Sequence, residues 1–196
     1  ASLHRVHTLQ FYNCQELQDV SSLKKVHTLT LSQCPKITNV SALGHVHKLT
    51  IKECAGITDV SMLGTVHTLY LQKCNQITTA FALGTVPLLH IEACSMLTDV
   101  SALGGRNKLD LIWCNHLTDV SKLIHVHTLN LTGCCEIRNV SALGGVHCLT
   151  LSYCRNITDV SALGNVHTLN LSHCGALENV SALGNVHTLN LSHCGA

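Results

Sequence analysis

Apolar positions recur along the chain with a fixed spacing of twenty residues. The repeat is clearest at residues 140–159, VSALGGVHCLTLSYCRNITD, and no insertion interrupts it anywhere. Residues 161–176 and 181–196 are identical. A constant period of this length is typical of a solenoid, in which each unit packs only on its neighbours. We therefore expect residues 1–196 to form a single array of about ten repeats, which is itself part of a longer chain.

Within one unit, the pattern predicts a short strand followed by a turn. In the second unit, Leu29 and Leu31 alternate with polar residues, which indicates a strand at about residues 28–32 with both leucines facing inward. We expect Asn39 to cap a brief helical or 3₁₀ turn. Gly44 is expected to end that turn in the left-handed conformation.

The cysteines follow the same period. Ten of the twelve occupy one position of the repeat: Cys14, Cys34, Cys54, Cys74, Cys94, Cys114, Cys134, Cys154, Cys174 and Cys194. Free cysteine behaves as a small hydrophobe, so we expect these thiols to fill the interior rather than to form disulfides or bind metal. Many unpaired thiols favour a reducing compartment. We therefore expect an intracellular location, in cytoplasm or nucleus; the alternative is secretion.

Composition argues against two classes of partner. Twelve Lys and Arg residues against eleven Asp and Glu residues give a formal net charge of +1. Binding to nucleic acid normally needs a concentrated positive charge, which this balance does not provide. No run of about 18 apolar residues is present to span a membrane. We expect neither nucleic acid nor membrane as a partner.

The motif V/L-x-x-L-x-L-x-x-C-x-x-I-T-D recurs through the chain. It resembles the leucine-rich repeat, in the variety that carries cysteine. The segment I-T-D-V-S-A-L is similar to internalin-like repeats, and the cysteine followed by I-T-D is similar to F-box-associated leucine-rich repeat arrays. The resemblance implies an α/β solenoid with a right-handed coil and a parallel β-sheet on its concave face. It also implies short 3₁₀ or helical turns, or extended segments, on the convex face.

The outward positions of the predicted strands differ most between repeats in the middle of the chain. The candidate partner-binding residues there are Tyr70, Leu88, His90, Glu92, Asp110, Ile112 and Trp113. Aromatic anchors among polar groups are typical of protein interaction hot spots. We therefore expect an unidentified protein partner on the concave sheet. The alternative is that these repeats have merely diverged and carry an unusual surface.

A charged residue interrupts the interior pattern in the same region. Arg106 occupies a position that is valine in most other units. Because an unpaired buried charge is costly, we expect its guanidinium either to reach solvent or to pair with Asp110 or Glu92.

Histidines form two rows just before the predicted strands. The rows comprise His7, His27, His47 and His67, and then His127, His147, His167 and His187. Neighbouring rings would lie ~5 Å apart, close enough for two imidazoles to share a metal ion. No carboxylate or thiol recurs beside them, so the other interpretation is a half-exposed row packed edge to face. Mutual repulsion should lower the pKa of these histidines.

Motifs for catalysis are missing from the sequence. It contains no glycine-rich phosphate loop, no H-E-x-x-H and no G-x-S-x-G. We expect no catalytic residue and no cofactor. Besides protein binding and metal binding, the remaining alternative is a structural array that associates end to end through uncapped terminal repeats.

Overall fold

A computed structural model describes residues 6–195, so residues 1–5 and 196 of the predicted array lie outside the described residues. One parallel sheet runs through the described part, with the strands paired in chain order. Its strands are β1 (Thr8–Tyr12), β2 (Thr28–Ser32), β3 (Lys48–Lys52), β4 (Thr68–Gln72), β5 (Leu88–Glu92), β6 (Lys108–Ile112), β7 (Thr128–Asn130), β8 (Cys148–Thr150), β9 (Thr168–Asn170) and β10 (Thr188–Asn190). The strand predicted at residues 28–32 is confirmed.

A short 3₁₀ helix connects each strand to the next. These helices span Ser21–Leu23, Ser41–His45, Ser61–Thr65, Phe81–Thr85, Ser101–Leu103, Ser121–Leu123, Ser141–Gly145, Ser161–Leu163 and Ser181–Asn185. The Oδ1 atom of Asn39 accepts a hydrogen bond from the Ser41 N–H at 2.9 Å, which confirms the predicted cap. In the described residues, no helix combines the length and apolar character needed to cross a membrane.

The interior consists of identical layers stacked along the solenoid. The second unit completely buries Leu29, Leu31, Cys34 and Ile37, and Leu43 of the third unit is completely buried as well. The equivalent positions are buried in the third to ninth units, so one continuous hydrophobic core runs through that part of the array. In the last unit, Leu189 is 37% exposed, and Leu191 and Cys194 are only partly buried. Complete burial of one such aliphatic side chain contributes about 1.5–3 kcal/mol. Each layer is covered only by its two neighbours, which explains why the constant period holds the fold together.

The periodic cysteines belong to this interior, as predicted. All twelve cysteines are free, and eight of the ten periodic ones are buried. Their thiols also connect successive turns: the Cys134 Sγ donates to the Leu111 carbonyl oxygen at 3.2 Å. Burial raises the pKa of the Cys54 thiol to about 11. The Cys54 thiol therefore remains protonated at neutral pH. The buried thiols act as small apolar groups with one weak donor.

The left-handed conformation predicted for Gly44 is wrong. Positive φ angles occur instead at one later position of the repeat, which directly follows β1 to β6 and lies three residues after the end of β7 to β10. These residues are Asn13, Gln33, Glu53, Lys73, Ala93, Trp113, Gly133, Tyr153, His173 and His193. Glycine is needed at residue 44 for a different reason, because a Cβ there would overlap the carbonyl oxygen of Met62 in the next repeat. Close packing of consecutive 3₁₀ helices, rather than chain reversal, selects the glycine.

Candidate binding surface of the sheet

Four of the predicted binding residues surround one cavity. It has a volume of about 520 Å³, and its lining includes Tyr70, Leu88, His90 and Asp110. Glu92 lies beside His90, and its neighbour in the sheet register is Ile112. Six of the seven predicted residues therefore lie in or next to one area, across β4, β5 and β6.

His90 is held between two carboxylates. Its Nε2 lies 3.5 Å from the Glu92 Oε2, and its Nδ1 lies 3.8 Å from the Asp110 Oδ2. The Asp110 carboxylate, followed by that of Glu92, raises the pKa of His90, although partial burial opposes them. The same contact with His90 lowers the pKa of Asp110, and the Lys108 ammonium at 3.5 Å adds to this effect. These side chains thus form a nearly neutral, fixed cluster.

Apolar surface is exposed next to this cluster. Leu88 is 59% exposed and Tyr70 is 39% exposed. The Tyr70 ring lies 5.7 Å from the His90 ring, tilted by 45°. The Lys48 Nζ also lies 5.7 Å from the Tyr70 ring centroid, so one face of the ring receives a cation–π contact. Tyr70 and Leu88 thus present an exposed apolar surface beside the ordered charges of the cluster.

Trp113, the seventh predicted residue, packs toward β8, away from the cavity on β4, β5 and β6. It follows β6 in the left-handed conformation, with a φ of 56°. Its indole covers Gly133 and lies 5.7 Å from the Tyr153 ring. Tyr153 in turn stacks on His173 at 4.2 Å. Trp113 therefore begins a separate aromatic row that extends toward β10 and lies at the margin of the cavity region.

Both outcomes predicted for Arg106 are wrong. The side chain is only 8% exposed. Its Nη1 donates to the Val86 carbonyl oxygen at 2.6 Å and its Nη2 to that of Leu83 at 2.5 Å. Within residues 6–195, its Nε has no hydrogen-bond partner and no carboxylate lies within ion-pair distance. Burial lowers the pKa of the guanidinium.

Sequence reasoning missed part of the cavity wall. Arg106 itself lines the cavity, together with Pro87, Asn107 and Lys108. A signal was present, because the valine–histidine pair that precedes most strands is Val-Pro in the fifth unit and Arg-Asn in the sixth. That change of residues did not predict that the Arg106 side chain would point toward carbonyl groups of the preceding repeat.

The histidine rows stack face to face, so the predicted edge-to-face packing is wrong. The ring centroids of His7 and His27 lie 4.4 Å apart with a 19° angle between planes, and those of His167 and His187 lie 4.6 Å apart at 5°. The flanking rings displace water from His27, and the positive charges of its two neighbours add to the effect, so its pKa lies below the ordinary value. The same holds for His147. The predicted direction of the pKa shift is confirmed at both residues.

A metal site is not assembled by these rows in the described residues. Across 6–195, no group of three or more His, Cys, Asp or Glu side chains is placed to hold a metal ion. The stacked rings offer imidazole nitrogens alone, whereas structural zinc sites use four ligands.

Comparison with known proteins identifies the architecture. No protein-family model and no curated protein matches the sequence. The leucine-rich repeat domain of the type III effector XopL is similar in structure, with a TM-score of 0.67 and 16% identity over 96% of this chain and 77% of that one. An internalin (inlF) from Listeria monocytogenes str. 4b F2365 has a TM-score of 0.52 and 19% identity over 90% of this chain. The 196 residues span 64% of that internalin chain. The cysteine-containing repeat, the ten-stranded parallel sheet and these two likenesses together show that the chain has the leucine-rich-repeat fold.

Proposed function

We propose that this protein is a non-catalytic scaffold that binds another protein through the outward face of its sheet. One observation carries the proposal: Tyr70 and Leu88 are exposed beside the fixed cluster of His90, Glu92 and Asp110. The neighbouring strands hold these side chains in place before any partner arrives. Little conformational entropy would then be lost on binding.

The proposed contact surface has two parts. The first is the cavity region on β4, β5 and β6, where Tyr70 and Leu88 would act as anchors. The second is the aromatic row that begins at Trp113 and continues through Tyr153. A partner that spans β4 to β8 would cover about 20 Å at the usual strand spacing, which is the scale of a standard protein interface.

We also propose an intracellular setting for this interaction. Support comes from the eight periodic thiols that are buried as apolar groups. Such thiols would be exposed to oxidation during folding in an oxidising compartment, whereas a reducing one keeps them free.

Site-specific photo-crosslinking tests the binding face. A benzophenone amino acid would replace Leu88 on the sheet or Met62 on the 3₁₀ helix of the opposite side. The two residues are matched in exposure, at 59% and 60%. In an extract of the cells that produce the protein, the variant at residue 88 should capture a partner that the variant at residue 62 does not. Equal capture from both positions, or capture from residue 62 alone, would refute the sheet face as the binding surface.

Sedimentation velocity tests the alternative of end-to-end association. We expect one sedimenting species whose mass does not change with protein concentration. A mass that increases steadily with concentration would instead favour a self-assembling array.

A further inference from the structure

The sheet opens between β5 and β6 at the end where both strands begin. At the other strand pairs, the backbone N–H of the first strand residue donates a hydrogen bond to a carbonyl oxygen of the preceding repeat. For example, the Leu88 N–H donates to the His67 carbonyl oxygen at 3.0 Å, and the Thr128 N–H donates to the Asn107 carbonyl oxygen at 2.9 Å. The equivalent bond from the Lys108 N–H to the Pro87 carbonyl is absent from this part of the described chain. Pairing of β5 with β6 begins only at His90 and Asp110.

Arg106 explains the opening. It replaces the valine that closes the interior layer in the neighbouring units, and its longer side chain extends into the fifth repeat to reach the carbonyl groups of Val86 and Leu83. Leu89, directly behind the gap, is 7% exposed, whereas the equivalent Leu69 and Leu109 are 0% exposed. The strands therefore diverge where the larger residue is inserted, and the cavity of about 520 Å³ occupies the space between them.

The cavity carries an uncompensated positive charge. Lys108 and His90 are balanced by two carboxylates, since Asp110 contacts both cations and Glu92 contacts His90. Arg106 has only neutral carbonyl oxygens as partners, and two of its five N–H donors are used by them. A buried cation without a counter-ion is destabilising, so an anion that enters the cavity would recover part of that cost.

The other residues that line the cavity indicate what kind of molecule the anion belongs to. Pro87, Leu88 and Tyr70 give one side an apolar surface. The free Pro87 carbonyl and Lys108 N–H match the hydrogen-bonding groups of an extended peptide, as in strand addition. Asp110 on the opposite wall would repel a group with two or more negative charges. A singly charged carboxylate next to an apolar side chain fits all three features, and arginine binds carboxylates well.

We propose that the opening between β5 and β6 is a pocket for a carboxylate carried by an extended peptide segment of the partner, with Arg106 as its charge partner. This inference rests on the proposed scaffold function and names the chemistry that the sheet face recognises. The carboxylate belongs either to an acidic side chain or to the carboxyl terminus of the peptide.

Two synthetic libraries of random octapeptides test the pocket, one ending in a free carboxylate and the other in an amide. Peptides selected on the wild-type protein should carry a carboxylate beside an apolar residue. Arg106→Val, which restores the residue of the neighbouring repeats, should weaken their binding at least about tenfold, the size expected for one charged hydrogen bond. Arg155→Ala, at an exposed arginine outside the pocket, should leave binding unchanged. Enrichment in the free-carboxylate library alone would identify the terminus as the source, and Asp or Glu in both libraries would identify a side chain.

Hydrogen exchange at the Lys108 amide confirms that the variant is folded and that the gap is the site. The amide should exchange quickly in the wild type, slowly in Arg106→Val, and more slowly in the wild type when a selected peptide is bound. Peptides that depend on Leu88 but show no carboxylate preference and tolerate Arg106→Val would overturn the pocket while leaving the scaffold function intact. Failure to select any peptide that is sensitive to Leu88→Ala or Arg106→Val would overturn both.

Discussion

The Trp113 indole occupies the space that a side chain at residue 133 would fill. A Cβ on Gly133 would overlap the Cε3 and Cδ2 atoms of the indole. Gly133 has a φ of +73°, but nine other residues at this position of the repeat adopt positive φ angles and carry side chains. The conformation alone therefore does not require glycine. The large neighbour in the preceding repeat does.

Gly133→Ala should destabilise the protein by about 1–3 kcal/mol, the range for forcing an extra methyl group into a packed site. It should also shift the fluorescence of Trp113, the only tryptophan. Chemical denaturation and emission spectra measure both effects. In a protein that already carries Trp113→Ala, Gly133→Ala should lower the free energy of unfolding much less, because the overlapping ring is gone. A full cost in both backgrounds would assign the effect to the backbone instead.

The cap at each 3₁₀ helix gives a second prediction. Asn39→Ala removes the acceptor for the Ser41 N–H and should lower the free energy of unfolding by about 1 kcal/mol. Asn39→Asp should be nearly neutral at pH 7, since Asp59 already makes the same bond to the Ser61 N–H at 2.8 Å. Denaturant titration of the two variants compares them directly. A cost for aspartate equal to that for alanine would contradict a capping role.

Acidification should destabilise the histidine rows. The pKa values of His27 and His147 are lowered in the folded state, so their contribution to stability is complete above the ordinary value of 6.5 and is lost as the pH falls through the folded pKa. The melting temperature should therefore fall between about pH 7.5 and about pH 5. Substituting both residues by glutamine should reduce the fall. An unchanged melting temperature in the wild type would refute the repulsion between stacked rings.

His90 should respond in the opposite sense. Its pKa is raised in the folded state, so its contribution is complete below 6.5 and is lost as the pH rises through the folded pKa. His90→Gln should therefore increase the loss of melting temperature on acidification relative to the wild type. A smaller loss in this variant would show that Asp110 and Glu92 do not stabilise the charged ring.

Thiol reactivity reports on the stacked interior. Eight cysteines are buried and four are only partly buried, Cys14, Cys135, Cys148 and Cys194. A thiol-specific colorimetric reagent should modify no more than these four in the native protein and all twelve after denaturation. Mass spectrometry of labelled peptides identifies them. Rapid modification of Cys54, whose pKa is raised to about 11 by burial, would contradict the packing of the core.

The sequence was sufficient to predict the strands and the interior. The leucine at 29 and the thiol at 34 return every twenty residues, and the position of Leu31 is always apolar. A residue type that recurs at one position of every turn must face the same environment in each. Periodicity therefore encodes which positions are buried. The parallel order of the strands follows from stacking successive units.

Side-chain direction between repeats was not predictable in the same way. The sequence placed Trp113 on the candidate surface, but did not show that its ring turns toward Gly133 and Tyr153. It marked Arg106 as an exception without locating its partners, because these are main-chain carbonyl groups that every sequence possesses. Gly44 was assigned a turn conformation for the same reason, because the sequence does not show how closely the main chain of the next repeat approaches it.

The separation of β5 from β6 shows how a strictly periodic molecule can acquire a recess. Longer loops would break the period, whereas exchange of one interior valine for arginine leaves the repeat length intact and spreads two strands. The same exchange is available in every unit that has valine at this position. Introducing the Arg-Asn pair into another repeat should therefore move the recess along the sheet in steps of about 4.8 Å, the spacing between strands. Binding sites could then be placed at chosen intervals along the array.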